Sequence, residues 1–373
     1  MNRRPNKSRT GYDSFAARHT SRFQASTPDT HFFDIRKKRP AGLYVFFALL
    51  ALVCVLLVVN LSSNLFVHVA RVSVPVRALS SDLDGYTLLH ISDLKGASFG
   101  QNQRRLRLAL SSSEYDAVVF TGDMISERGN AQPFYELIDL LKSLNPDVPI
   151  YFIPGDSDPA PASMAYTSGG SPFAPWVLGA NQRGAQLLSS PQAISRKNGT
   201  FWLCTPAQLN LDIDTMQGQF EQQYLRARRS GDENEIELAT YNLQWLEQTR
   251  KAREAMQESE GYVALSHAPP SREELSAAPD SPLSRVSVVL CGHYLGGLMR
   301  LPLLGPVFVP SQNLPRYGLL PGDSACSGLH REDRTWIYIN PGLGASSAEY
   351  PSFFFRLFNP PTISLVTLTP STM

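Results

Sequence analysis

Five short apolar stretches, each a candidate β-strand, follow one another along the chain, and each runs into an aspartate or a histidine. They close on Ile91-Ser92-Asp93-Leu94-Lys95, Thr121-Gly122-Asp123, Pro154-Gly155-Asp156-Ser157-Asp158, Leu265-Ser266-His267 and Cys291-Gly292-His293-Tyr294-Leu295-Gly296-Gly297. Strands that end this way point polar side chains into the crevice at the carboxyl edge of an open α/β sheet, where ligands bind. Gly122, Gly155 and Gly292 directly precede Asp123, Asp156 and His293. Glycine there permits a sharp turn and close backbone approach. A single Asp after Gly is ordinary turn chemistry. Three of them in register with two histidines argue for a metal site instead. Carboxylate with imidazole suits zinc, manganese or iron, and the mixture selects none of the three.

The segments between these stretches alternate in kind. Residues 72–79 read as an edge strand that tolerates Pro75. Strands follow at 86–91, 117–120 and 148–153, with helical spacing over 104–110 and a helix capped by Asn130 that stops at Asn145-Pro146. Such alternation implies right-handed crossovers and a parallel core. Residues 159–183 read as a long loop beside the site. Residues 205–256 read as a partly helical insertion, in which Ser230-x-x-Glu233 forms a capping box for a helix with Ile236, Ala239, Leu243 and Leu246 on one face. That helix is expected to cover the core. Further strands are expected at 262–265, 286–291, 336–339 and 363–368.

Ahead of the strands lies an uninterrupted apolar run, residues 41–59, long enough to cross a bilayer as a helix. Residues 1–40 carry ten Lys or Arg against three acids, a net +7, so the +1 of the whole chain leaves −6 for the remainder. Arg36, Lys37, Lys38 and Arg39 abut the run, while its far side offers only Arg71 and Arg77 nearby. This asymmetry predicts a cytoplasmic N-terminus and a large domain outside the cell membrane. A basic leader of this length with no small-x-small site after the run argues against a cleaved signal peptide. The expected organisation is a disordered basic tail over 1–40, a transmembrane anchor over 41–66 and one domain over 72–373. The expected partner of the anchor segment is the membrane, and nucleic acid is not expected. Cys54 lies in the apolar run and Cys204, Cys291 and Cys326 beyond it, an odd number that leaves at least one thiol unpaired.

Taken in order, the strand-end motifs resemble those of the calcineurin-like metallophosphoesterases. That pattern is Asp-x-His, Gly-Asp, Gly-Asn-His-Asp or Glu, a lone His after a strand, then Gly-His-x-His. The chain is most similar to a membrane-associated or exported bacterial branch. That likeness rests on Gly292 through Pro302, on Asn340-Pro341-Gly342-Leu343-Gly344, and on Arg356-Leu357-Phe358-Asn359-Pro360-Pro361. The resemblance implies a four-layer α/β/β/α sandwich over residues 72–373 and hydrolysis of phosphomonoesters or phosphodiesters, with a phosphorylated small molecule or lipid as the expected partner.

Carried onto this chain, the family's second metal position is complete in kind: Asp123 bridges, Asp156 replaces the usual Asn, and His267 and His293 supply nitrogens. At the first position Asp93 and Asp123 remain, but Lys95 and Leu295 stand where two imidazoles belong. Ser157 stands where the family places a histidine near the leaving group. A protonated lysine has no lone pair to ligate with, and leucine has no donor at all. One divalent metal (manganese, zinc or iron) is therefore expected, and a second is not. Lys95, with Asp93, is the candidate for stabilising charge on the phosphoryl group, its ammonium taking the place of the first ion. The alternative is a pseudoenzyme that keeps the sandwich and uses the crevice or the inserted helix to bind a ligand or partner. His90 is expected to pack or hydrogen-bond, His68 to sit near the membrane boundary, and Tyr294 to have no role.

Overall fold

Two six-stranded sheets carry the architecture in this computed structural model. It describes residues 41–371 apart from 126–128, 168–169, 276–281, 302, 310–313, 315–317 and 346–355. The first sheet contains β1 (His68–Val76), β2 (Thr87–Ile91), β3 (Ala117–Thr121), β4 (Ile150–Ile153), β5 (Ala185–Leu187) and β14 (Thr362–Pro370), in the order β1-β14-β2-β3-β4-β5. All neighbours run parallel except β14 and β2. The second contains β6 (Gln192–Arg196), β7 (Gly199–Cys204), β8 (Gly261–Leu265), β9 (Val288–Cys291), β12 (Gly328–Glu332) and β13 (Thr335–Ile339), in the order β12-β13-β9-β8-β7-β6. Its four central strands are parallel and its two outer ones antiparallel. A two-residue pair, β10 (Arg300–Leu301) and β11 (Gly305–Pro306), stands apart.

Apolar side chains on both faces of the central strands give four layers. Leu88, Val119 and Val366 of the first sheet meet Leu203, Val263, Leu265, Val288 and Leu290 of the second in one buried cluster between the sheets. The opposite face, through Leu89, Val118 and Phe120, packs on α2 (Arg104–Leu110), α3 (Gln132–Leu144) and α4 (Pro175–Gln182). The outer face of the second sheet, through Cys204, Tyr262, Ala264 and Val289, meets Leu209 of α5 (Pro206–Asn210) and Met256, which follows α7 (Glu233–Ala255). α6 (Ile213–Ser230) precedes α7, and the short α8 (Arg272–Leu275) follows β8. Burial on two faces explains why the central strands read as continuous apolar runs rather than alternating ones. This is the α/β/β/α sandwich expected from the sequence.

Several elements differ from the sequence reading. The edge strand starts at His68 and ends at Val76, and it pairs only with β14, which leaves room for Pro75. The stretch 159–183 is not all loop, since α4 occupies part of it with Trp176, Val177 and Ala180 buried. Ser230 closes α6 rather than opening α7. Gly231 turns the chain at φ 73°, and Asp232 caps α7 by accepting hydrogen bonds from the backbone of Asn234 and Glu235. α3 is capped from Ala131, and Asn130 accepts a hydrogen bond from the backbone N–H of Gln132.

The chain divides into two units, Met1–Leu52 and Val53–Met373, and both sheets belong to the second. α1 spans Ala41–Leu65, and its stretch Gly42–Leu65 has a mean hydropathy of 3.0. Among the described residues it is the one helix long and apolar enough to cross a membrane. The basic tail expected over 1–40, with Arg36–Arg39, lies outside the described residues. No described cysteine is disulfide-bonded, and Cys204, Cys291 and Cys326 are buried.

Candidate metal centre

The carboxyl ends of β2, β3, β4, β8 and β9 converge. Gly122, Gly155 and Gly292 allow it, because neighbouring loops occupy the space where their side chains would stand. A Cβ on Gly292 would lie 1.9 Å from Ser92 Oγ and 2.4 Å from Asp93 Oδ2. A Cβ on Gly155 would lie 2.3 Å from the Asp123 nitrogen. The side chains that follow stand on strained backbone: Asp93, Lys95, Asp123, His293 and Leu295 all have positive φ, between 50° and 71°. Non-glycine residues in this region cost of order 1–3 kcal/mol each and persist where surrounding structure forces them, which is typical of functional sites.

His267 Nε2 is the hub of a set of ring and carboxylate atoms at ligand spacing. His267 Nε2 lies 3.2 Å from His293 Nδ1, 3.3 Å from Asp123 Oδ2 and 3.9 Å from Asp156 Oδ2. His293 Nδ1 lies 3.3 Å from Asp156 Oδ2. Donors bound about 2.1 Å from one tetrahedral ion sit roughly 3.4 Å apart. The Nδ1 of His267 lies 2.8 Å from the carbonyl oxygen of Thr121. A proton held there leaves the Nε2 lone pair facing the cluster, the usual outer-shell arrangement of a ligating histidine. Asp93, Asp123 and His267 form a second group of ligand atoms within 4.8 Å of one another, as do Asp156, His267 and His293. Asp93 Oδ1 is buried without a hydrogen-bond partner among the described residues. The donor set thus suits a divalent ion.

Lys95 meets the same oxygen of Asp123 as His267 does. Its ammonium lies 2.5 Å from Asp123 Oδ2, with side-chain exposures of 15% and 3%. Ser157 completes the clamp, its backbone N–H donating to Asp123 Oδ1 at 2.8 Å and its hydroxyl to Oδ2 at 3.1 Å. Leu295 is buried and puts no donor into the crevice. Burial opposes the charge on Asp123, but its hydrogen bond to His267 and the charges of His267 and Lys95 outweigh this, so its carboxyl lies well below the usual range. Burial likewise opposes the charge on Lys95, yet Asp123 and Asp93 hold its ammonium above the ordinary lysine value. The same contest raises His267 to about 9, against burial, through Asp123 and Asp93. His293 is lowered by burial and by the charge on His267. Asp156 and His293 are the open side of the site, 70% and 35% exposed.

Further hydrogen bonds secure this arrangement. Asp93 Oδ2 accepts from Ser92 Oγ at 2.6 Å and from the backbone N–H of His293 at 3.0 Å, so Asp93 also positions the β9 loop. Asp158 accepts from the backbone of Gly155, Ile125 and Met124 and ties the β3 loop to the β4 loop. Arg356 is fully buried and donates to the carbonyl oxygens of Asn359, Gly344, Leu295 and Pro341. Its place in a C-terminal motif marked it in the sequence, though its burial did not show there. His90 is buried against Thr121 Oγ1 at 2.8 Å and Tyr338, away from the cluster. His68 lies exposed on β1, and Tyr294 packs edge-on to His293.

The family model for calcineurin-like phosphoesterase matches residues 86–296, which is more than half of the chain and includes all five strand ends. The chain belongs to the calcineurin-like phosphoesterase family. No curated protein matches it. Among solved structures it is similar to a phosphopantetheinyl hydrolase, PptH, from Mycobacterium tuberculosis, at 14% identity and a TM-score of 0.33, over 78% of this chain and 98% of that one. It is also similar to a putative 5'-nucleotidase from Staphylococcus aureus in complex with alpha-ketoglutarate, at 10% identity and a TM-score of 0.31, over 78% of this chain and 55% of that one. In a calcineurin-like phosphoesterase, the cluster at these strand ends is where a divalent metal would be held.

Proposed function

We propose that this protein is a membrane-anchored phosphoesterase that works with one divalent ion, held by Asp123, Asp156, His267 and His293. The observation that carries this reading is the Lys95–Asp123 pair, 2.5 Å long, beside two donor groups that share His267: Asp156 with His293, and Asp93 with Asp123. When bound, the ion supplies positive charge to a phosphoryl oxygen and acidifies a water. The chain's own groups do the rest. His267 and Asp123 are fixed by Thr121 and Ser157, and so would hold the ion without rearrangement. Lys95 carries a fixed positive charge on the side where two imidazoles are missing, and charge of that kind stabilises a phosphoryl group as negative charge develops. Asp93 holds the backbone of His293 in place. α1 anchors the protein with its N-terminus in the cytoplasm and the phosphoesterase domain outside, following the charge asymmetry about the apolar run.

A pseudoenzyme is the second reading, favoured by Ser157, whose hydroxyl is turned onto Asp123 where the family places a histidine. The crevice would then hold an anionic ligand without turnover. The deciding experiment is elemental analysis of the purified full chain offered manganese, zinc and iron, followed by hydrolysis of a chromogenic aryl phosphodiester. About one ion per chain and metal-dependent turnover, both lost in His293→Ala, support the phosphoesterase. One ion without turnover supports the pseudoenzyme. A folded protein that retains no ion overturns the metal reading. Protease shaving of intact cells tests the orientation, since only an outward-facing domain is cleaved.

A further inference from the structure

A cavity of about 520 Å³ opens beside the metal centre, on the side of His267. Its size falls within the roughly 300–1,000 Å³ typical of small-molecule sites. Its wall includes Ile153, Leu188, Ala207, Leu211, Trp245 and His267. Ile153-Pro154 is the end of β4 directly before Gly155-Asp156, and Leu265-Ser266 is the end of β8 directly before His267. The cavity floor and two of the candidate ligands are thus consecutive in the chain. A group joined to a phosphoryl at the metal centre has this space as its neighbour.

The far wall comes from the inserted helices and is fixed. Trp245 of α7 donates its indole N–H to the carbonyl oxygen of Ser189. Gln208 of α5 donates to the carbonyl oxygen of Leu188 at 2.8 Å, and the capping box of Thr205 and Gln208 holds the start of α5. Among the described residues, the one charged lining residue apart from His267 is Glu274, and the lining has no lysine or arginine. The Glu274 carboxylate already accepts the backbone N–H of Ser271. A second phosphate or carboxylate entering here would meet no cation and one carboxylate, whereas hydrocarbon would meet aliphatic and indole surface.

We infer that this cavity is the subsite for the organic group of the substrate, and that it selects an uncharged, apolar group over one carrying further anionic charge. The inference rests on the phosphoesterase reading for the placement of the phosphoryl. It turns the insertion, whose sequence shows only a core-covering helix, into the determinant of substrate class.

The test is calorimetric binding of n-alkylphosphonates to the manganese-loaded full chain, with the neutral alcohols of the same chain lengths titrated alongside. Affinity should rise by up to about fourfold for each methylene that enters the cavity, while a phosphonate ending in a carboxylate gains nothing. Ala207 is exposed at the rim of α5, so Ala207→Trp fills the cavity without burdening the core and should flatten the series. Equal affinity for methyl- and hexylphosphonate, or a slope that survives Ala207→Trp, overturns the proposal. If the protein retains no metal and binds no phosphonate, the phosphoesterase reading fails separately. The alcohols then decide the cavity: hexanol binding lost in Ala207→Trp supports an apolar subsite, and no hexanol binding overturns it.

Discussion

Lys95→Met removes the ammonium and keeps most of the apolar stem, so it isolates the charge facing Asp123. At an effective dielectric of about 20, unit charges 2.5 Å apart attract by about 7 kcal/mol. Desolvation of both groups offsets most of that, and breaking a buried pair typically costs about 3–5 kcal/mol. Here Lys95 keeps some solvent contact at 15% exposure, and Asp123 retains Ser157 and His267. A loss of about 2–3 kcal/mol is therefore expected in the metal-free protein. For a domain of this size 1 kcal/mol moves Tm by roughly 2 °C, so the metal-stripped full chain in detergent should melt about 4–6 °C lower. A double-mutant cycle with Asp123→Asn should show a coupling of about 2 kcal/mol, since the two groups touch. Manganese affinity should move the other way and rise at least tenfold in Lys95→Met, because a like charge beside the ion is gone. A Tm change under about 1 °C, an additive cycle, or unchanged manganese affinity would refute the reasoning that Lys95 stands in for an ion.

Gly292→Ala should lower Tm by several degrees and abolish metal retention, since its Cβ would press on Ser92 Oγ and Asp93 Oδ2. Adding Ser92→Ala should restore part of the loss. Arg356→Met should destabilise by about 3 kcal/mol or more in denaturant unfolding, because four carbonyls lose a buried donor. Arg356→Lys should not rescue it, as one ammonium cannot reach four acceptors fanned around a guanidinium. Burial lowers His90 from its ordinary value to about 3. The unfolded chain therefore takes up a proton below about pH 6.5 that the folded chain refuses until about pH 3. Stability should be unaffected by His90 above pH 6.5 and should fall with pH below it, by up to about 1.4 kcal/mol per pH unit. Denaturant midpoints measured from pH 7 to 5 should show a shallower fall in His90→Gln.

The central strands and the order of the site residues were legible because both are local. An apolar run ending in Gly-Asp or Gly-His fixes a strand, a turn and a polar side chain at the sheet edge within a few residues. That Lys95 stands where the family pattern has a histidine could be read for the same reason, being a single position in a short motif. What was not legible depends on contacts between distant segments. Arg356 reaches Leu295 and Trp245 reaches Ser189 across 61 and 56 positions, and no local pattern signals either. The misplaced cap of α7 is a different failure. Ser230 and Glu233 have the right spacing, but Gly231 between them ends one helix in the left-handed region and moves the next cap to Asp232. α4 was missed because Pro175, Gly179 and the small residues around it read as loop, though Trp176 and Val177 pack it into the outer face of the first sheet.

The two departures at Lys95 and Asp156 make physical sense as a pair. With a divalent ion in place of the proton on His267, the negative charges of Asp93, Asp123 and Asp156 are matched by the ion's two and by the one on Lys95. An asparagine at 156 would leave the loaded site positive, and a second ion in place of Lys95 would do the same. The two changes do not weigh equally, however. Lys95 and Asp123 are nearly dry, whereas Asp156 is 70% exposed, and water screens its charge. Asp156→Asn also keeps an oxygen within reach of the ion. It should therefore weaken manganese binding by clearly less than His293→Ala or His267→Ala, each of which removes a donor outright. An Asp156→Asn loss as large as either histidine's would mean that the balance of charge, and not the set of donors, governs this site.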